Sequence, residues 1–278
     1  MKITIRSIIL FLLIWQNSFC QSPLTPGFQM LEGGRFGEAV LFFQNYLKTD
    51  STNPTALLCL GRGLGLTGKP DKALEIFYSL KQASPESFEV DINIAEAFMW
   101  SKDFNTAKNN YKALLTRDST SFSANLGLAN AYSELQKYDS ALVFVQKALA
   151  LQPTNGNAQV SRKFMRLGKS SQLVGKGNFG EAEVYLKAIL DESPSDSDGL
   201  HNIANLYSIM HNYPKAIANY ESLLNIPTKK VDGAIGISQV RFQQKKPKDA
   251  LLWAQKALSM ADTSEYVKSK IAIINALG

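Results

Sequence analysis

The chain has little with which to do covalent or metal chemistry. Its 278 residues include two cysteines and two histidines. Two cysteines cannot build a disulfide-stapled scaffold. His201 and His211 stand ten residues apart with no His-Glu-x-x-His run or paired Cys/His spacing beside them, which leaves no metal site to name. No nucleophile elbow or Cys/His pairing suggests covalent catalysis either. Charge of one sign is also scarce. Thirty Lys and Arg against 24 Asp and Glu give a net charge of +6, too mild to argue for nucleic acid. The leading apolar run, Ile8 to Trp15, is shorter than the roughly 20 residues a bilayer-spanning helix needs. Apolar residues nevertheless make up 45% of the chain, which excludes wholesale disorder.

What the first twenty residues do carry is an address. Lys2 and Arg6 precede the apolar run, and the polar exit Gln16-Asn17-Ser18 leads to Phe19, Cys20 and Gln21. A charged head, an apolar core and a polar exit are the layout of a secretory signal peptide, with Ser18 and Cys20 filling the cleavage pockets and the cut before Gln21. The rival is a lipid on Cys20, against which bulky Phe19 counts. Cleavage leaves a net charge of +4 and one cysteine, Cys59, which lies in an apolar stretch and reads as a buried small hydrophobe. The expected location is exported and, in a Gram-negative cell, periplasmic. The exit Phe-Cys-Gln looks like those of Bacteroidota proteins.

The rest of the chain repeats. Ala39, Ala73, Ala107 and Ala141 are each 34 residues apart; after a step of 41 come Ala182, Ala216 and Ala250, again at 34. Three residues before each stands Phe36, Pro70, Phe104, Tyr138, Phe179, Tyr213 or Pro247. Four after stands Phe43, Phe77, Tyr111, Val145, Leu186, Tyr220 or Ala254, and seven after another apolar residue or Tyr46. Offsets of three, four and seven trace one face of a helix. A second helix precedes each, marked by large-small pairs such as Leu60-Gly61, Ile94-Ala95, Leu128-Ala129 and Ile203-Ala204. Gly68-Lys69-Pro70 and Gly177-Asn178-Phe179 read as the tight turns between the two. The unit is helix, turn, helix, turn.

On these residues the chain resembles the tetratricopeptide repeat (TPR) family over about residues 25–262, most clearly in Asn125 to Pro153 and Leu200 to Leu224. The resemblance implies an all-α fold, a right-handed superhelical α-solenoid of about seven helix-turn-helix repeats with a C-terminal capping helix. The organisation expected is a signal peptide at 1–20, one repeat array at 21–262 and a cap at 263–278. Ser264 is a fair N-cap for that last helix, and Tyr266, Ile271, Ile273 and Ile274 give it an apolar side. Asp91 and Asn125 depart from the family pattern, since a large residue commonly opens the leading helix there.

Gly63-Leu64-Gly65-Leu66-Thr67-Gly68 matches the dinucleotide pattern G-x-G-x-x-G, and through Lys69 it approaches a phosphate loop with Pro70 in place of the hydroxyl residue. Both motifs need a strand before and a helix after. This stretch falls in register with the repeat and reads as a helix end and a turn. No cofactor is expected.

Two surfaces remain as candidates for partners. In the family the leading helices line a concave groove for peptides or partner helices. The positions implied here are Arg62, Glu96, Trp100, Asn130, His201, Asn205, Gln239 and Phe242. Asn side chains there could pair with a peptide backbone, and Trp100 could anchor an apolar side chain. The second surface lies on the leading helix of the fifth unit. The step of 41 lengthens that helix by seven residues, about two turns, around Asn157 to Val174. It carries Arg162, Arg166 and Lys169 on one face. That stripe reads either as a solvated face or as a docking stripe for an acidic partner or an anionic envelope surface. The function expected is a non-enzymatic interaction scaffold or adaptor in the cell envelope, binding a protein or peptide and no nucleic acid or small-molecule substrate. The alternatives are a periplasmic chaperone or holdase for exported clients, or the soluble module of a larger outer-membrane-associated system.

Overall fold

The computed structural model describes residues 23–260, and the expected export signal over residues 1–20 and capping helix over residues 263–278 lie outside them. Among the described residues there are fourteen α-helices, one short 3-10 segment at Pro227–Lys229 and no strand. The helices come as seven leading and trailing pairs. The first three are α1 (Thr25–Glu32) with α2 (Phe36–Tyr46), α3 (Pro54–Leu66) with α4 (Pro70–Ala83), and α5 (Phe88–Trp100) with α6 (Phe104–Arg117). The fourth and fifth are α7 (Phe122–Glu134) with α8 (Tyr138–Leu151) and α9 (Gly156–Gly175) with α10 (Phe179–Glu192). The last two are α11 (Ser197–Ile209) with α12 (Tyr213–Leu224) and α13 (Lys230–Gln243) with α14 (Pro247–Met260). The chain forms two compact units, divided between Ala131 and Tyr132 within α7.

Each trailing helix begins at the residue three before the repeated alanine. Proline opens α4 and α14, where its missing N–H costs nothing. Five leading helices are capped by a side chain that accepts the amide of the third residue along. The caps are Asn53, Ser87, Ser121, Asn155 and Asp196, at 2.8 to 3.3 Å. All seven repeated alanines are buried, as are the seven residues four positions after them. The alanines allow two helices to approach, and the larger residue fills the space beside the contact.

The glycines of the sequence 61–65 serve this packing. A Cβ on Gly61 would strike the Phe77 ring, one on Gly63 the Val40 side chain, and one on Gly65 the Trp100 ring. The stretch is the last turns of α3 with helices on its flanks, so it binds no phosphate through a strand-loop-helix cradle. Gly68 follows in the turn at φ 78°.

The departures at Asp91 and Asn125 have structural reasons. Asp91 accepts Lys81 from α4 at 2.7 Å and Arg117 from α6, and Arg117 also donates to the Glu86 carbonyl at 2.8 Å. Asn125 is buried and donates to the Ser119 and Ser121 carbonyls at 3.1 and 2.8 Å. Asp91 thus links its helix to α4 and α6, and Asn125 fastens the turn before its own helix.

The fifth leading helix is long, as the spacing predicts. α9 has 20 residues where α3, α5, α7 and α11 have 13. The extra two turns stand at its N-terminal end.

Candidate partner-binding surface

In the first unit the leading helices α1, α3 and α5 present one face to a depression of about 440 Å³. Phe28 and Leu31 of α1 and Leu58 and Leu66 of α3 supply its apolar wall, while Glu32, Arg62 and Glu89 supply charge. A smaller hollow of about 170 Å³ shares Thr55, Leu58 and Glu89 with it and runs toward the start of α5. The surface therefore offers apolar contact flanked by two carboxylates and one guanidinium. Such a mixture suits a peptide segment better than a uniformly charged ligand.

Behind that face the titratable groups are held away from their charged forms. Burial pushes the Glu96 carboxyl above its usual range, with the nearby Arg62 charge pulling the other way. Burial, and then the Glu96 charge, push the Tyr111 hydroxyl far up. Cys59 touches the depression, and burial raises its thiol above the usual value, the opposite of what a nucleophilic cysteine needs.

The expected groove residues divide accordingly. Arg62 is exposed and lines the depression, with half-buried Glu96 within reach of its charge. Asn130 is half-buried on α7. Trp100 is half-buried at the end of α5. Its ring lies over Gly65 of α3, in the space that any side chain there would need. In the second unit His201 is exposed, with its ring edge-on to Tyr220 at 6.0 Å. Asn205 is half-buried on α11. Its carbonyl accepts the Tyr220 hydroxyl, which lies where Gly236 of α13 leaves room for the ring. Gln239 and Phe242 are exposed on α13.

Glu89, Thr55 and Leu58 were missed, although they recur in register one and two turns before Arg62 and Glu96. The periodicity that located those two would have found them. Phe28 and Leu31 were hidden because the first leading helix is short.

The basic stripe on α9 is the second expected surface. Arg162 and Arg166 both donate to the Glu192 carboxylate at 2.9 and 2.8 Å, and Arg166 reaches the Ala188 carbonyl at 3.1 Å. Lys163 bridges Asp196 and Asp198 at 3.1 and 2.9 Å. Lys169 meets Asp139 of α8 at 2.7 Å and its side chain is only 12% exposed. The stripe is therefore paired with carboxylates, and Arg162 and Lys163 also line a depression of about 490 Å³ together with Glu192 and Asp196. These pairs fasten the lengthened helix to α8, α10 and the start of α11.

Residues 101–161 match the model of the tetratricopeptide repeat family. Among similar solved structures is a tetratricopeptide repeat protein from Parabacteroides merdae, 20% identical, covering 91% of this chain and 97% of that one at a TM-score of 0.53. The C-terminal part of a TPR repeat-containing protein from Cytophaga hutchinsonii is 13% identical, covers 89% and 98%, and has a TM-score of 0.62. The apo form of RapI is 15% identical, covers 92% and 80%, and has a TM-score of 0.70. At these identities the likeness is one of fold. No curated protein sequence matches the chain.

Proposed function

We propose that this tetratricopeptide repeat chain is a non-enzymatic adaptor that holds a protein or peptide partner on the leading-helix face of its first unit. The observation that carries this reading is the depression between α1, α3 and α5, where Phe28, Leu31, Leu58 and Leu66 stand beside Arg62, Glu32 and Glu89. The fold makes protein interaction the role to expect, and the depression gives it a place. The charge-flanked apolar wall favours a defined segment over the many loosely held clients of a holdase. The charged head and apolar run of residues 1–20 support export, which would place the adaptor in the periplasm of a Gram-negative cell, at the envelope.

The test is cross-linking in the cell that makes the protein, with Arg62→Glu/Leu66→Ser, both at exposed residues of the depression, as the companion variant. One partner recovered in fixed stoichiometry, and lost in the variant at unchanged melting temperature, is the expected result. Many substoichiometric clients would replace the adaptor with a holdase. Capture that survives the variant would remove the depression as the docking site.

A further inference from the structure

With the α9 stripe neutralised, the unpaired positive charge of the protein lies elsewhere. Residues 225–260 contain Lys229, Lys230, Arg241, Lys245, Lys246, Lys248 and Lys256 against only Asp232 and Asp249. Among the described residues only Lys229 of these cations forms an ion pair, with Asp232 at 3.6 Å. Four of the others fall within residues 241–248, at the end of α13, in the turn and at the start of α14. Arg241 donates to the neutral Gln244 amide at 3.0 Å, which leaves its charge uncompensated. The turn itself is well made. Lys245 takes the left-handed conformation at φ 59°, and the Lys246 amide closes onto the Arg241 carbonyl at 3.0 Å.

Apolar side chains share that edge. The Ser208 hydroxyl donates to the Gln243 side-chain carbonyl at 2.6 Å and ties the end of α11 to the end of α13. Ile209 and Met210 at the first helix end, and Phe242 at the second, are 48%, 39% and 38% exposed. Large apolar side chains grouped at a lysine-rich edge are an unusual way to face water.

We propose that this edge of the second unit docks on an anionic lipid surface. The lysines occupy a short, exposed turn and the helix start after it, where a flat surface can meet them together. Three of the four cations are lysines, compact point charges that need no bidentate geometry to meet headgroup phosphates. Clustered lysines of this kind draw a protein to anionic leaflets, and Ile209, Met210 and Phe242 would enter the boundary between headgroups and acyl chains. An acidic protein segment has matching charge but makes less use of three apolar tips at the end of a turn. The proposal does not depend on the groove of the first unit.

The protein, purified in the form its cell produces, is co-sedimented with vesicles of phosphatidylcholine alone and of phosphatidylcholine mixed with phosphatidylglycerol. Binding to the mixed vesicles only, weakening with added salt, is expected. Lys245→Glu/Lys246→Glu/Lys248→Glu should weaken it by about tenfold or more, and Phe242→Ser by a smaller factor that salt does not change. Both variants are compared with the parent by circular dichroism, so that unfolding is not read as lost binding. Any contact made by residues 1–20 is common to all three proteins. Equal binding by parent and triple variant overturns the proposal. So does failure to bind mixed vesicles, and polyglutamate binding in its place would assign the edge to an acidic protein partner.

Discussion

At the scale of single residues, the seven turns inside the helix pairs share one demand. Each contains a residue with positive φ, at positions 34, 68, 102, 136, 177, 211 and 245. Glycine meets it at Gly34, Gly68 and Gly177; Lys102, Gln136, His211 and Lys245 meet it with a side chain, at φ between 55° and 62°. An L-residue held there carries roughly 1–2 kcal/mol of steric cost, partly offset by the larger entropy glycine loses on folding. Lys102→Gly is therefore expected to stabilise the protein by about 0.5–1 kcal/mol, read as a higher denaturation midpoint. Gly68→Ala should destabilise by about 1 kcal/mol. A Cβ on Gly68 meets nothing within 4 Å, so the change isolates the backbone term. If both variants unfold at the parent midpoint, the turns do not hold the conformation described. The sequence announces this turn by residue type only where glycine stands, as at Gly68 and Gly177. At Lys102 or His211 only the spacing of 34 reveals it.

At the scale of helices, the repeated alanine decides how close two neighbours come. Ala141 is wholly buried at the contact of α8, so Ala141→Leu must force side chains off their rotamers or push helices apart. The expected loss is about 1–3 kcal/mol, seen as a lower melting temperature. An unchanged melting temperature would mean that the contact is looser than its burial implies. Helix starts, the buried face and the added two turns of α9 were legible because each follows from periodicity within one repeat. What that periodicity could not show was the fate of charges. Between Arg162 and Lys176 the sequence has no acid, so the stripe looked free. Its partners Glu192, Asp196 and Asp198 come from the next helices, about 30 residues onward, and Asp139 from the helix before. The hydrogen-bond partner of Asn205 is hidden in the sequence for a related reason. The donated hydroxyl belongs to Tyr220, whose ring position is set by Gly236 in the following repeat.

At the scale of the whole molecule, each repeat leaves an apolar face that the next must cover. The residues one and eight positions after the repeated alanine do this work. Val40 lies where a side chain on Gly63 would stand, and Glu183 accepts the Tyr207 hydroxyl at 2.7 Å. Leu190 and Leu224 lie likewise against Gly199 and Gly233, and Lys81 pairs with Asp91. In the seventh repeat the same two positions are Leu251 and Leu258, each 47% exposed among the described residues. Residues 263–278, with Ile271, Ile273 and Ile274, are the segment we expect to cover them. Ending the chain at Met260 should then cost about 2 kcal/mol from the two leucines alone, at roughly 25 cal/mol per Å² of apolar surface. The shortened protein should melt earlier and self-associate, because the uncovered face is the one the stack uses to bind its own next helix. Leu251→Lys/Leu258→Lys in the shortened chain should abolish the self-association, while in the full chain the same pair should lower the melting temperature. Analytical ultracentrifugation and thermal denaturation of the four proteins separate the outcomes. A shortened chain that stays monomeric and melts with the parent would mean that residues 263–278 do not cover this face.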